Sequence, residues 1–185
     1  MERYYKEKEG GKAMTLDEYQ KKRDFKVSTE PKGNTKNEVE IIDKNDVKVE
    51  DVINDVKVND DKRTIFVIHE HHATRLHWDL RLEMGGVLRS WAVPKDPIDV
   101  NFGTKRLAIH VEDHPIEYAT FEGEIPKGSY GAGKVSIWDK GEFVLEGETD
   151  NKLVFQLKGN KLNGTFTLVS VPNMGANSWL FIKKK

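Results

Sequence analysis

Cysteine is absent from this chain of 185 residues, which excludes a disulfide framework, a thiolate metal cluster and a cysteine nucleophile. A reducing compartment suits such a chain, and a cytoplasmic location is the expectation. Also missing is any stretch approaching the roughly 20 apolar residues of a membrane span. The first thirty residues are charged throughout and hold no apolar core, so neither an export signal nor a membrane anchor is expected. Charge of one sign is lacking too, since 30 basic and 31 acidic residues leave a net charge of −1. That average does not by itself point to nucleic acid. With only 37% hydrophobic residues, the length fits one core domain with an appendage.

The near-zero average hides an asymmetry. Residues 36–61 hold nine acids and four lysines, about −5, so the remainder carries about +4. Within this segment Asn-Asp-Val-Lys-Val occurs at 45–49 and again at 54–58, too short and too few for a stacked repeat. Residues 33–61 are therefore read as an acidic insert or linker. Before it, Thr15-Leu16-Asp17-Glu18 has capping-box spacing for a helix of about two turns, whose Leu16 and Tyr19 should dock on the core. Residues 23–31 read as an extended arm, because Pro31 disfavours helical geometry at Glu30. Residues 1–32 thus form a helix and arm packed on the domain at 62–185.

Long helical patterns are lacking after residue 62. Short runs rich in Val, Ile, Phe, Trp and Leu recur between glycines and prolines, and strands are expected at 64–69, 75–83, 87–93, 105–111, 117–122, 134–139, 142–148, 152–157, 164–171 and 178–182. That pattern predicts an all-β fold, a closed or nearly closed β-barrel with a short N-terminal helix. Gly85-Gly86 and Lys140-Gly141 are read as hairpin turns.

The stretch HEHHATRLHWDLRLE at 69–83 carries the chemistry. Strand alternation puts Arg75, His77, Asp79, Arg81 and Glu83 on one side and Leu76, Trp78, Leu80 and Leu82 on the other. A merely solvated face is normally filled with Thr, Ser, Lys and Glu. Here His77-x-Asp79, with His71 upstream, offers the mixed nitrogen and oxygen ligands that manganese and similar cations take, while Arg75 and Arg81 would recruit an anion alongside. At 106–114 alternation groups Arg106, His110, Glu112 and His114 against Leu107, Ile109 and Val111, and the two polar faces are expected to meet across a pocket. His110 reads equally well as a packed structural histidine. Residues 124–133 are glycine-rich but lack Walker spacing, so they read as a structural turn. Lys158, Lys161 and Lys183 to Lys185 read as solvated ends.

The blocks HHATRLHWDLRLE, SWAVPK, RLAIHVEDHPIEY, FEGEIPKGSYGAGKVSIWDKG and WLFIKKK together resemble the 3′-phosphoesterase module of bacterial and archaeal DNA ligase D. The likeness runs from about residue 64 to the C-terminus and includes Arg23-Asp24-Phe25 and Glu30-Pro31; the acidic insert departs from it. The resemblance implies a manganese-dependent enzyme, with cobalt or another divalent ion as a substitute, that heals DNA or RNA-terminated DNA 3′ ends. It would remove a 3′-terminal ribonucleoside and then the 3′-phosphate to leave a 3′-hydroxyl. It implies His71, His77 and Asp79 as metal ligands, and Arg81 and His114 as the grip on the phosphate. Lys95 and Arg106 would lie around a terminal phosphate, Glu112 and Tyr118 would be further site residues, and Arg23, Asp24 and Glu30 would belong to the arm. A monomer working with a separate ligase, polymerase or Ku-like protein is the matching expectation.

Two rival readings use the same residues. His77, Asp79 and His114 also fit the ligand set of a non-haem iron oxygenase barrel, and a non-catalytic nucleic-acid-binding barrel would use only the basic side chains. The arginines on the polar faces favour a phosphate-rich substrate over a small keto acid.

Overall fold

The computed structural model describes residues 15–33 and 64–185. The acidic insert and its short repeat lie outside the described residues. A helix, α1 (Leu16–Lys21), precedes nine strands: β1 (Thr64–His72), β2 (Leu76–Met84), β3 (Val87–Val93), β4 (Lys105–His114), β5 (Gly123–Ile125), β6 (Gly133–Thr149), β7 (Lys152–Gly159), β8 (Asn163–Ser170) and β9 (Ser178–Lys183). Eight of them close in the order β1-β2-β3-β4-β9-β8-β7-β6, because β1 also pairs with β6, and β5 extends β6 outside the ring. All these ladders are antiparallel. The closed barrel expected from the strand spacing is the fold.

Period-two alternation fills its interior. Phe66 and Ile68 of β1, Trp78, Leu80 and Leu82 of β2, Trp91 and Val93 of β3, and Phe155, Phe166 and Phe181 of the far strands form one buried cluster. Burying each such side chain contributes roughly 1.5–3 kcal/mol, and the rings of Phe155, Phe166 and Phe181 stack on one another. A second cluster lies on the outer face of β1 to β4, where Val67, Leu88, Tyr118 and Phe121 meet Tyr19 of α1. Thr15 caps that helix by accepting from the Glu18 amide, with Asp17 and Glu18 in its first turn, and Tyr19 is wholly buried. Its hydroxyl donates to the Pro31 carbonyl at 2.6 Å, which folds the arm back across the barrel.

Turn chemistry holds at Gly85-Gly86, which joins β2 to β3 with φ of 64° and 83°, the positive values a tight two-residue turn requires. Elsewhere three local expectations are corrected. Residues 117–122 are not a strand, since Ile116–Thr120 forms a 3₁₀ turn started by Pro115 at its cap. Lys140-Gly141 is not a hairpin, because β6 runs unbroken for 17 residues. There Gly141 allows close approach, as a Cβ would collide with the Lys158 carbonyl.

The third correction concerns β4. Ser90 pairs with Val111, whereas Leu88 pairs with His114, so an extra residue bulges from β4 between them and resets the alternation beyond it. Arg106 and His110 pair with the interior residues Phe181 and Trp91 and face inward, His110 stacking on Trp91. Leu107, Ile109 and Val111 take the outer side, and Glu112 and His114 join that side only because of the bulge. The expected common face of Arg106, His110, Glu112 and His114 is therefore divided.

Candidate metal centre and its surroundings

The polar faces of β1 and β2 turn away from the barrel interior, not into a pocket within it. Closure places Trp78, Leu80 and Leu82 inside, so His77, Asp79 and Arg81 must face out, where the arm and the 3₁₀ turn cover much of them. Among the described residues, His71, His77 and Asp79 offer ligand atoms that all lie within 4.8 Å of one another. His71 stands directly opposite His77 in the β1–β2 ladder, which is why two residues six apart meet.

Backbone carbonyls set the tautomers. His71 Nε2 is 2.9 Å from the Gly131 carbonyl, and His77 Nδ1 is 2.9 Å from the Arg75 carbonyl. A carbonyl only accepts, so each of those nitrogens carries hydrogen and the neutral ring presents its other nitrogen as a lone pair. Those free nitrogens face one carboxylate: His71 Nδ1 lies 3.8 Å from Asp79 Oδ2 and His77 Nε2 lies 3.6 Å from Oδ1. Two imidazole lone pairs and a carboxylate, each imidazole braced by a carbonyl, are a donor set suited to a divalent transition ion.

Arg81 ties this group to the next. Its Nη2 donates to Asp79 Oδ2 at 3.0 Å, Nη1 to Ser90 Oγ at 2.9 Å and Nε to His69 Nδ1 at 3.3 Å. Its guanidinium also lies over the Tyr118 ring. Burial alone would raise the Asp79 pKa, but Arg81 and the two histidines outweigh it and hold the carboxyl well below the usual range. Asp79 is ionised.

His114 lies beyond Ser90. Its Nδ1 donates to the Glu112 carbonyl at 2.9 Å, and its Nε2 accepts from Arg23 Nη2 at 3.3 Å. Burial, with Arg81 and Arg23 close by, drives its pKa well below that of a free imidazole, so the ring is neutral. The arm closes the site through Arg23, whose Nε donates to Glu30 and whose Nη1 donates to Glu112 at 3.1 Å. Tyr118 donates to the same Glu30 oxygen that Arg23 contacts, and Lys22 binds the other Glu112 oxygen at 2.8 Å. Burial pushes the Glu112 carboxyl up, but Lys22 and Arg23 prevail and lower it.

Of the residues expected from the sequence, His71, His77, Asp79, Arg81, Glu112, His114, Tyr118, Arg23 and Glu30 form one connected network on the outer face. Asp24 is exposed and shapes the arm, its side chain accepting from the Lys26 amide. Lys95 is exposed on the turn after β3, and Arg106 lies on the inner face of β4; neither touches the network. The rival ligand set His77, Asp79 and His114 is not assembled, because Arg81 and Ser90 stand between Asp79 and His114.

Several contributors were not singled out by sequence reasoning. Ser90 opens the SWAVPK block without a role being assigned to it, Lys22 carries no motif signal, and the Gly131 carbonyl belongs to a stretch read as a plain turn. His69, wholly buried on the same outward face, accepts from Arg81. Beside His77 a cleft of about 620 Å³ opens between residues 73–75 and residues 129–132, a size typical of small-ligand sites.

Fold and site together define a class: a closed antiparallel barrel with a metal-capable His-His-Asp group and a buried arginine on its outer wall. The model of the DNA ligase D 3′-phosphoesterase domain matches residues 69–170, and the chain belongs to that family. The multifunctional non-homologous end joining protein LigD of Pseudomonas aeruginosa is 39% identical over 178 residues, covering 92% of this chain and 18% of that protein. LigD of Mycolicibacterium smegmatis is 46% identical over 138 residues, 69% of this chain and 17% of its own length. LigD of Mycobacterium bovis is 54% identical over 108 residues, 56% of this chain and 14% of its own. The chain thus spans less than a fifth of these curated relatives.

Proposed function

We propose that this protein is a metal-dependent phosphoesterase that heals DNA 3′ ends, removing a 3′-terminal ribonucleoside and then the remaining 3′-phosphate. The observation that carries this reading is the convergence of the His71 and His77 lone pairs on Asp79, with Arg81 bonded to the same carboxylate. His71, His77 and Asp79 would hold the ion, manganese by preference, with cobalt or a similar ion able to substitute. Held by these three residues, a divalent ion would supply Lewis acidity to activate water and positive charge to offset that of the phosphate.

The remaining chemistry falls to the chain. Arg81 has five N–H donors, three of which have partners among the described residues, and the other two would serve a phosphate oxygen. They would steady the charge that builds as water attacks phosphorus and the bond to the ribonucleoside 5′-oxygen breaks. The proton lost by water ends, through solvent or a side chain, on that departing oxygen. His114 would meet the phosphate by exchanging its contact with Arg23 for one with a phosphate oxygen and taking up a proton. Glu112, Tyr118 and Glu30 act as positioning residues, since each bears on Arg23 or on the arm. Lys95 and Arg106 would reach a terminal phosphate only through contacts absent from the network described above.

A labelled primer ending in a ribonucleotide or in a 3′-phosphate, incubated with a series of divalent ions, tests the reading. Metal-dependent shortening followed by a 3′-hydroxyl product is expected. Product formation in chelator equal to that with manganese would overturn it. A ligase, polymerase or Ku-like protein is the proposed partner.

A further inference from the structure

Tyr130 is 48% exposed on the wall of the cleft beside His77. It is held in place, however. Lys22 Nζ bonds its hydroxyl at 3.3 Å, and the Lys22 ammonium and Arg23 guanidinium lie 4.7 and 5.5 Å from its ring centroid. The next residue, Gly131, supplies the carbonyl that orients His71. One short loop therefore fixes both a candidate metal ligand and an open aromatic surface. Gly131 at φ 73° and Gly133, where a Cβ would collide with the His72 carbonyl, hold that loop against β1.

An exposed ring braced from below but open to a cleft is the arrangement that stacks on a nucleobase. Most bases in a primer are already stacked on both faces. The terminal base has one face free, so it is the one a single aromatic can engage. We propose that Tyr130 is the platform for the base of the 3′-terminal nucleoside that leaves in the diester step, and so a specificity-determining residue. This rests on the function proposed above. A primer ending in a 3′-phosphate has no nucleoside at that place, so the contact belongs to the diester step alone.

The test compares wild type with Tyr130→Ala and Tyr130→Phe on primers ending in a ribonucleotide, in a base-less ribose and in a 3′-phosphate. Wild type should prefer the ribonucleotide over the base-less end, and Tyr130→Ala should reduce that preference, and the diesterase-to-monoesterase ratio, about tenfold or more. Tyr130→Phe should keep both ratios. Unchanged ratios in Tyr130→Ala overturn the proposal, as does equal damage by both variants, which would assign the effect to the Lys22 bond. A primer ending in a fluorescent 2-aminopurine riboside gives a readout independent of turnover: wild type and Tyr130→Phe should quench it on binding and Tyr130→Ala should not. Quenching without hydrolysis under any metal would sink the phosphoesterase reading and keep the platform, whereas hydrolysis without quenching would do the reverse.

Discussion

Arg23 Nη2 lies 3.3 Å from His114 Nε2, across 91 positions of sequence. Arginine has no lone pair to offer, so His114 is the acceptor there and carries its proton on Nδ1. The same guanidinium neutralises Glu30 and Glu112. The arm is thus bonded to the barrel by one buried cation shared between two buried carboxylates.

Removing that cation leaves both carboxylates buried and short of a partner. Arg23→Ala should destabilise the fold by roughly 3–5 kcal/mol, on the order of ten degrees in Tm. Combining it with Glu30→Gln should cost less than the sum of the two single changes. Calorimetric melts of the four proteins decide this, and strict additivity would break the coupling.

The two outer ligand positions differ in burial, and so should their variants. His77→Ala removes a half-buried ring and should lose metal binding and at least about a hundredfold in hydrolysis, with little change in Tm. Asp79→Ala should lose activity equally but also leave Arg81 buried on the covered outer face without its carboxylate, at a cost of roughly 3–5 kcal/mol. Titration with manganese followed by paramagnetic resonance, alongside thermal melts, separates the two effects. Normal manganese binding by folded His77→Ala would remove His77 from the ligand set.

Lysine cannot replace Arg81. Three separate nitrogens of the guanidinium reach His69, Ser90 and Asp79, whereas a lysine carries its donors on a single atom. Arg81→Lys should weaken metal affinity by about 10–100-fold through a loosened Asp79. Isothermal titration of the folded variant measures it, and an unchanged affinity would show that Asp79 needs no brace.

Asp113 should make stability depend on pH. It is buried, and one of its oxygens has no hydrogen-bond partner among the described residues. Burial pushes its pKa up to about 7, against Arg89 and with help from Glu112. A raised carboxyl pKa means that the unfolded chain ionises first, so its contribution is intact below about pH 4 and is lost as pH rises to about 7. Asp113→Asn should match wild type near pH 4 and exceed it by a few kcal/mol at pH 8. Partly buried His110 works the other way, its pKa lowered to about 4 by desolvation and by Arg89, so the difference between variant and parent is the quantity to follow. A difference that stays constant from pH 4 to pH 8 would contradict the assignment.

Much of this molecule was legible along the chain. The separation of Trp78, Leu80 and Leu82 from His77, Asp79 and Arg81 follows from strand alternation, and Gly85-Gly86 announces its own turn. In β4 the same rule failed, because one bulged residue shifts Glu112 and His114 to the face that Arg106 and His110 do not share. A bulge needs no distinctive residue type, so nothing in that stretch marks it. Gly141 was misread for a related reason: a glycine that permits close strand approach looks the same in sequence as one that makes a turn.

By itself, the sequence determined a two-sided β domain, its outermost turn and the residue types able to hold a cation beside a phosphate. Alternation has no label for inside and outside, however. Only pairing of β1 with β6 made the aromatic side the interior and sent His71 and His77 outward. Ser90 faces Arg81 across the local β2–β3 hairpin, but the Gly131 carbonyl at His71 and Arg23 at His114 come from segments distant in the chain. Their selection depended on which backbone and side-chain groups barrel closure and the returning arm left within hydrogen-bonding reach.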